Sequence, residues 1–223
     1  MKDSIFKLVL ADDWDSLGDI IKEHYFLRPY SNDYICVCGE MTEIYHSFFA
    51  KFIIPFGLIF GAIVPYKGKN VPVDVHYNAN TQNSNIYWDR VFKFSEKKYF
   101  HFKSHMVHVK DNNVIEFVRF GIGIKLKVTS EQGAIVFRDT GYIWRIFGKD
   151  IPLPLSLVLG HIYVEERPLD TNTFSMKMIM THPWFGVLFR YKGVFNLNKD
   201  TAKGIERPQH INRKVNEITD MEK

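Results

Sequence analysis

Five polar side chains fall where the alternation around them calls for apolar ones, and these are the candidates for chemistry. Arg90 lies in phase with Trp88 and Phe92, Glu116 with Val114 and Val118, and Ser104 with Phe102 and Met106. His182 ends the run Phe174, Met176, Met178, Met180, and Tyr191 shares a phase with Phe189 and Phe195. An ionised Arg or Glu inside an apolar sheet is costly unless paired, so Arg90 is expected to meet Glu116. Such a pair has two readings. It is either a structural ion pair with satisfied hydrogen bonds, or the polar floor of a pocket. In the pocket, Arg90 with Glu116 or His182 orients a carboxylate or phosphate head group, while Trp88, Phe92, Phe102, Met178 and Tyr191 take the apolar part.

For catalysis the acid-base candidates are Glu116, Glu165 and His182, the last held rigidly by the following Pro183. The sequence has no GxSxG, phosphate loop, dinucleotide fingerprint or HExxH, so no cofactor is implied. An enzyme reading would be an isomerase or hydrolase acting on a hydrophobic substrate. His101, His105 and His108 have a spacing that suits a metal on a helix. On a strand, residues four apart are ~13 Å apart and His108 faces the other way, so no metal site is expected. Lys93, Lys97, His101, Lys103 and His105 form a basic outer stripe, either a solvated face or a contact for an anionic membrane.

The elements that must position these groups change character along the chain. Leu17, Ile20, Ile21, His24 and Tyr25 repeat at helical spacing after a possible Asp15 cap and before Arg28-Pro29, which predicts a first helix. A short strand is expected over 34–38. A second helix is expected from Ile44, Tyr45, Phe48, Phe49, Phe52 and Ile53, stopped or kinked at Pro55. Residues 52–66 are uncharged, too short and too broken by Pro and Gly to span a bilayer, and read as a buried helix pair or a partly exposed apolar flap.

From residue 71 the period becomes two and stays there to 197. Strands alternate through 71–78, 85–94, 100–106, 114–120, 122–129 and 134–144. A Pro-rich interruption over 151–155 then precedes strands near 161–167, 174–182 and 187–197. Nine or ten strands in an antiparallel meander must curl into a barrel or be covered, because open edges and a bare apolar face are both unfavourable. The expected fold is therefore mainly β, within the α+β class, as a barrel or strongly curved sheet with N-terminal helices over one side or opening. Residues 1–198 would form a single domain, helical over 13–66, and 199–223 a charged, flexible tail.

Composition bounds the partners. A net charge of +4 from 29 basic and 25 acidic residues is too small for a nucleic-acid binder relying on phosphate neutralisation. Cys36 and Cys38 are one residue apart, poorly placed for a disulfide, and read as reduced. With the charged start, which is not a secretory signal, they favour a cytoplasmic protein, membrane-peripheral if the basic stripe is used. The 19 Phe, 11 Tyr and 4 Trp make 15% of the chain, more than compactness needs, and favour a partner that is an apolar or amphipathic, lipid-like small molecule.

The segments Val71-Pro72-Val73, Trp88-Asp89-Arg90-Val91-Phe92, Glu116-Phe117-Val118-Arg119-Phe120-Gly121, Ile151-Pro152-Leu153-Pro154 and Thr181-His182-Pro183-Trp184-Phe185-Gly186-Val187-Leu188-Phe189-Arg190-Tyr191-Lys192-Gly193 occur in this order. Together they resemble the bacterial family of domains of unknown function numbered 4166, over roughly residues 17–197. Some proteins of that type look like appendages to oxidoreductase-like or membrane-associated chains, so the resemblance implies an accessory binding role. Arg90, Glu116 and His182 fall inside the matching segments.

Overall fold

Alternation along the strands turns an apolar side inward, and the chain closes that side upon itself, while Ile115, Phe117 and Ile143 form a smaller buried cluster of their own. In the computed structural model, which describes residues 3–197, eleven strands run antiparallel. They are β1 (Tyr34–His46), β2 (Val71–Ala79), β3 (Ile86–Ser95), β4 (Lys98–Lys110), β5 (Asn113–Phe117), β6 (Ile122–Glu131), β7 (Ala134–Ile146), β8 (Lys149–Leu153), β9 (His161–Pro168), β10 (Thr173–His182) and β11 (Gly186–Leu197). The order is β6-β5-β4-β3-β2-β1-β11-β10-β9-β7-β8, and pairing of β6 with β7 closes ten strands into a barrel. The expected barrel is thus present, with β8 as an additional edge strand hydrogen-bonded to β7. The tail expected over 199–223 lies outside the described residues.

Tight turns hold the meander in register. Gln132 and Gly133 between β6 and β7, and Phe147 and Gly148 between β7 and β8, all have positive φ. Two consecutive left-handed residues match the twist of a two-residue hairpin.

Because neighbouring strands alternate in direction, every connection can be assigned to one of two ends. At one end lie α1 (Ile5–Leu10), a 3-10 helix (Ala11–Ser16) and α2 (Asp19–His24), tied down where Gly18 N–H donates to Gly133 O at 3.0 Å. Their buried faces, including Ile5, Phe6, Trp14, Ile20 and Ile21, fill that opening. The other end carries α3 (Ala50–Phe60), a 3-10 turn (Arg119–Gly121), α4 (Ser156–Leu159) and the β7–β8 and β10–β11 loops.

Three local expectations are corrected. The first helix is shorter than its pattern and is capped by Gly18, because Asp15 belongs to the preceding 3-10 helix. Ile44 and Tyr45 belong to a long first strand, not to the second helix. A bulge between Met41 and Glu43 puts the buried Met41 and Ile44 three residues apart, which imitates a helical repeat. The Pro-rich stretch is not an interruption: Pro152 sits in β8 opposite Ile143, on an edge where its missing N–H costs no ladder bond.

The flap at 52–66 is α3 and the turn that follows. Pro55 lies inside α3. The helix ends in a Schellman motif, with Gly61 at φ 65°, Ala62 N–H donating to Gly57 O at 2.8 Å and Gly61 N–H to Leu58 O at 3.2 Å. A Cβ on Gly57 would stand 2.4 Å from Ile63 Cδ1, so glycine lets the chain fold back under the helix. Ile53 and Ile54 pack against the core from above.

Candidate functional site

Arg90, Ser104 and Glu116 come from adjacent strands β3, β4 and β5 and meet on the inner barrel wall. Arg90 Nη2 donates to Glu116 Oε1 at 2.9 Å and Nη1 to Ser104 Oγ at 3.0 Å, while Ser104 donates to the same Glu116 oxygen at 2.6 Å. The guanidinium is held between the rings of Trp88 and Phe102, at 4.5 and 4.8 Å from their centroids. Both charged side chains are largely buried, at 14% and 13% exposure, a setting in which a charge must be paired.

A second polar group lies toward the α1–α2 end. His24 on α2 places Nδ1 3.1 Å from Glu166 Oε2 on β9, a close polar contact without a well-directed hydrogen bond. Its ring stacks on Phe174 and meets Tyr77 edge-on, at 4.9 and 4.5 Å between centroids. Both His24 nitrogens, Glu166 Oε2, Tyr25 Oη and Trp88 Nε1 are buried without a well-directed hydrogen bond, with the Glu166 carboxylate standing beside both His24 and Tyr25. Burial, followed by the Glu166 carboxylate, pushes the Tyr25 and Tyr77 phenols well above their ordinary range, so both stay protonated.

Arg90 and Glu116 of the first group, and Tyr25 and Glu166 of the second, border one cavity of about 110 Å³ inside the barrel. On the same measure a single water needs only ~10–15 Å³. Met41, Met106, Met176, Met178 and Met180 line it, which is every methionine of the chain except Met1 and Met221. Unbranched thioethers give an apolar wall that can change shape. The cavity reaches Ala62, directly beneath the end of α3.

Of the residues singled out by strand phase, Trp88, Arg90, Phe92, Phe102, Glu116, Met178 and Tyr191 line this cavity. His182 does not. It is buried at the α3 end, where its Nε2–H donates to Leu157 O at 2.9 Å, its Nδ1 accepts from Trp184 N–H at 3.1 Å and its ring stacks on Phe185. Glu165 faces outward and accepts from Arg167 Nε at 3.0 Å and from Tyr163 Oη at 2.5 Å. Arg167 holds its carboxyl below the usual range. The three acid-base candidates therefore occupy three separate places.

The neighbour Glu166 enters the cavity instead, in phase with Ile162 and Val164, a signal already present in the alternation of β9. His24 and Tyr25 were legible only as the apolar face of a helix.

The outer basic stripe is weakened by its surroundings. Lys93 pairs with Asp74 at 2.5 Å and His101 with Asp89 at 3.0 Å. His105 packs against Tyr87 and Phe117, and burial, then the Arg145 charge, lowers its pKa to about 4, which leaves it neutral. Cys36 and Cys38 are both free thiols. Among the described residues no helix is long and apolar enough to cross a membrane.

Comparison with known proteins agrees with the extent of the barrel. A family model described as Domain of unknown function (DUF4166) matches residues 17–195. The chain is also similar to "Uncharacterized protein YndH" of Bacillus subtilis (strain 168), at 28% identity over 167 residues, covering 70% of this chain and 80% of that protein.

Proposed function

The chain belongs to the DUF4166 family, matched over residues 17–195, and from that premise we propose that its barrel binds one small, uncharged amphipathic molecule. The observation that carries the reading is the unequal lining of one cavity. Five methionines and several rings make most of its wall apolar, whereas buried polar atoms lacking well-directed hydrogen bonds collect toward the α1–α2 end. Buried polar atoms are normally hydrogen-bonded, so such a group marks where a ligand's own polar atoms or waters would sit.

The electrostatics favour an uncharged head group over the carboxylate or phosphate expected from Arg90 alone. Arg90 is already matched by Glu116, and Glu166 stands beside His24. An added anion would meet two carboxylates and no unmatched cation, and burying it there would be costly. A hydroxyl or amide could accept from Tyr25 and Trp88 and donate to Glu166 without adding charge. An enzyme using Glu116 or His182 as acid or base has less support, since only Glu116 reaches the cavity.

The test is to incubate the protein with a total lipid extract, remove excess by gel filtration, and record native mass spectra. One uncharged single-chain species per chain, lost in Met178→Trp, supports the proposal. Spectra without any adduct, or with one that persists unchanged in Met178→Trp, oppose it.

A further inference from the structure

The large exposed apolar residues are distributed unequally between the two ends of the barrel. On α3 and just before it, Phe48, Phe52, Phe56 and Ile59 expose 59% or more of their surface, and the surrounding loops and α4 add Phe147 at 100%, Trp184 at 81% and Leu157 at 71%. Contiguous exposed apolar surface of this kind marks a place where something docks. The helix also spans the opening. Its N-cap, Phe49, stacks on Phe185 of the β10–β11 loop at 4.4 Å, and its last residue, Phe60, meets Phe120 of the β5–β6 turn at 6.2 Å. Those two loops stand on opposite sides of the ten-strand ring. α3 is thus a cover across the mouth, with its lower side on the core and its upper side apolar.

Charge identifies what would cover that upper side. Lys51 on α3 is followed by Lys67 and Lys69 after the helix, and Lys97, Lys98, Arg119 and Lys149 lie on the other turns and strand ends at this end, all exposed. The same loops hold only two carboxylates, Glu96 and Asp150, and Asp150 is taken by Arg145 at 2.7 Å. At the opposite end Asp12, Asp13, Asp15, Asp19 and Glu23 are exposed. The protein therefore presents an aromatic face rimmed by cations at one end and a negative face at the other, a distribution that fits an anionic bilayer surface.

We propose that the α3 end docks on anionic phospholipid bilayers, with the α3 aromatics entering the headgroup region and the cavity mouth facing the membrane. This rests on the binding reading only for its purpose, delivery of the ligand from the bilayer, because the docking surface is defined without the cavity. The basic stripe on β3 and β4 is not the contact; Lys97 alone belongs to both.

The test is co-sedimentation and flotation with phosphatidylcholine vesicles, pure or containing roughly one-third phosphatidylglycerol, each also prepared with brominated chains. Wild type should partition to the anionic vesicles at least about tenfold better than to the neutral ones, and Phe52→Ser/Phe56→Ser should lose about tenfold. Both positions are exposed, so the variant's thermal midpoint should match wild type. Brominated lipid should quench fluorescence in wild type and lose that component in Trp184→Phe. Equal partition to both vesicles, no partition, or partition unaffected by Phe52→Ser/Phe56→Ser overturns the proposal. A self-association abolished by that variant, without vesicle binding, overturns it in favour of a second copy. Vesicle binding by a protein that takes up no ligand from the lipid extract would remove the cavity reading and leave the docking surface standing.

Discussion

Arg90 and Glu116 meet at 2.9 Å across the inner face of β4, with Ser104 donating to the same carboxylate oxygen. The charge pair is thereby complete before any ligand arrives. Its first consequence concerns stability. Arg90→Ala should destabilise the barrel by about 3 kcal/mol, because a buried carboxylate is left unmatched, whereas Arg90→Met/Glu116→Leu should recover most of that loss. Urea unfolding of the three proteins checks this; equal losses in the single and double variants would mean that packing, not charge, holds the site.

Tyr25→Phe should change stability and binding in opposite directions. The Tyr25 hydroxyl is buried beside the Glu166 carboxylate without a well-directed hydrogen bond, so removing it should, in the absence of ligand, leave stability unchanged or raise it by about 1 kcal/mol. The same change should weaken binding of a hydroxyl-bearing ligand about tenfold. A destabilised variant with normal binding would place the hydroxyl in the structural framework instead.

Acid should weaken the fold before the carboxylates titrate. Burial, followed by the Lys67 charge, lowers the His46 pKa from 6.5 to about 4, and burial followed by Arg145 does the same to His105. Near neutral pH both imidazoles are neutral in the folded and unfolded states, so neither affects stability. As pH falls through 6.5 the unfolded chain takes up these protons while the folded protein resists until about 4. Stability is therefore lost across that window, by up to about 3 kcal/mol for each histidine, and levels off below it. Urea midpoints followed through the window should fall, and His105→Gln should flatten the fall; an unchanged slope would contradict the assignment.

His182→Ala should act at the rim and not in the cavity. It removes the hydrogen bond to Leu157 O and the ring against Phe185, at a cost of about 1–3 kcal/mol. Hydrogen exchange in α4 and the β10–β11 loop should rise while ligand affinity stays within about twofold.

Much of the barrel could be read from β2 to β7, where the period of two runs without a break and puts Trp88, Arg90 and Phe92 on the wall that also holds Phe102, Ser104 and Met106. The Arg90–Glu116 contact followed from that phase because a buried charge has few cheap partners. The bulge at Met41 and Glu43 hid half of β1, since one inserted residue turns a strand pattern into a helical one. Glu165 was singled out where Glu166 lines the cavity because the phase of β9 rests on only Ile162 and Val164. His182 follows three inward methionines, but a register shift between Met180 and Thr181 carries it out to the rim. The cover formed by α3 depends on contacts from Phe49 to Phe185 and from Phe60 to Phe120, between segments far apart in the chain, and local pattern contains no trace of them.

The central claim, a cavity matched to an uncharged amphipathic ligand, is tested most directly by calorimetric titration with a medium-chain monoacylglycerol and the fatty acid of equal chain length at neutral pH. The barrel should bind the monoacylglycerol with one site and at least about tenfold more tightly than the acid. Tighter binding of the fatty acid, or heat from neither ligand, would contradict it.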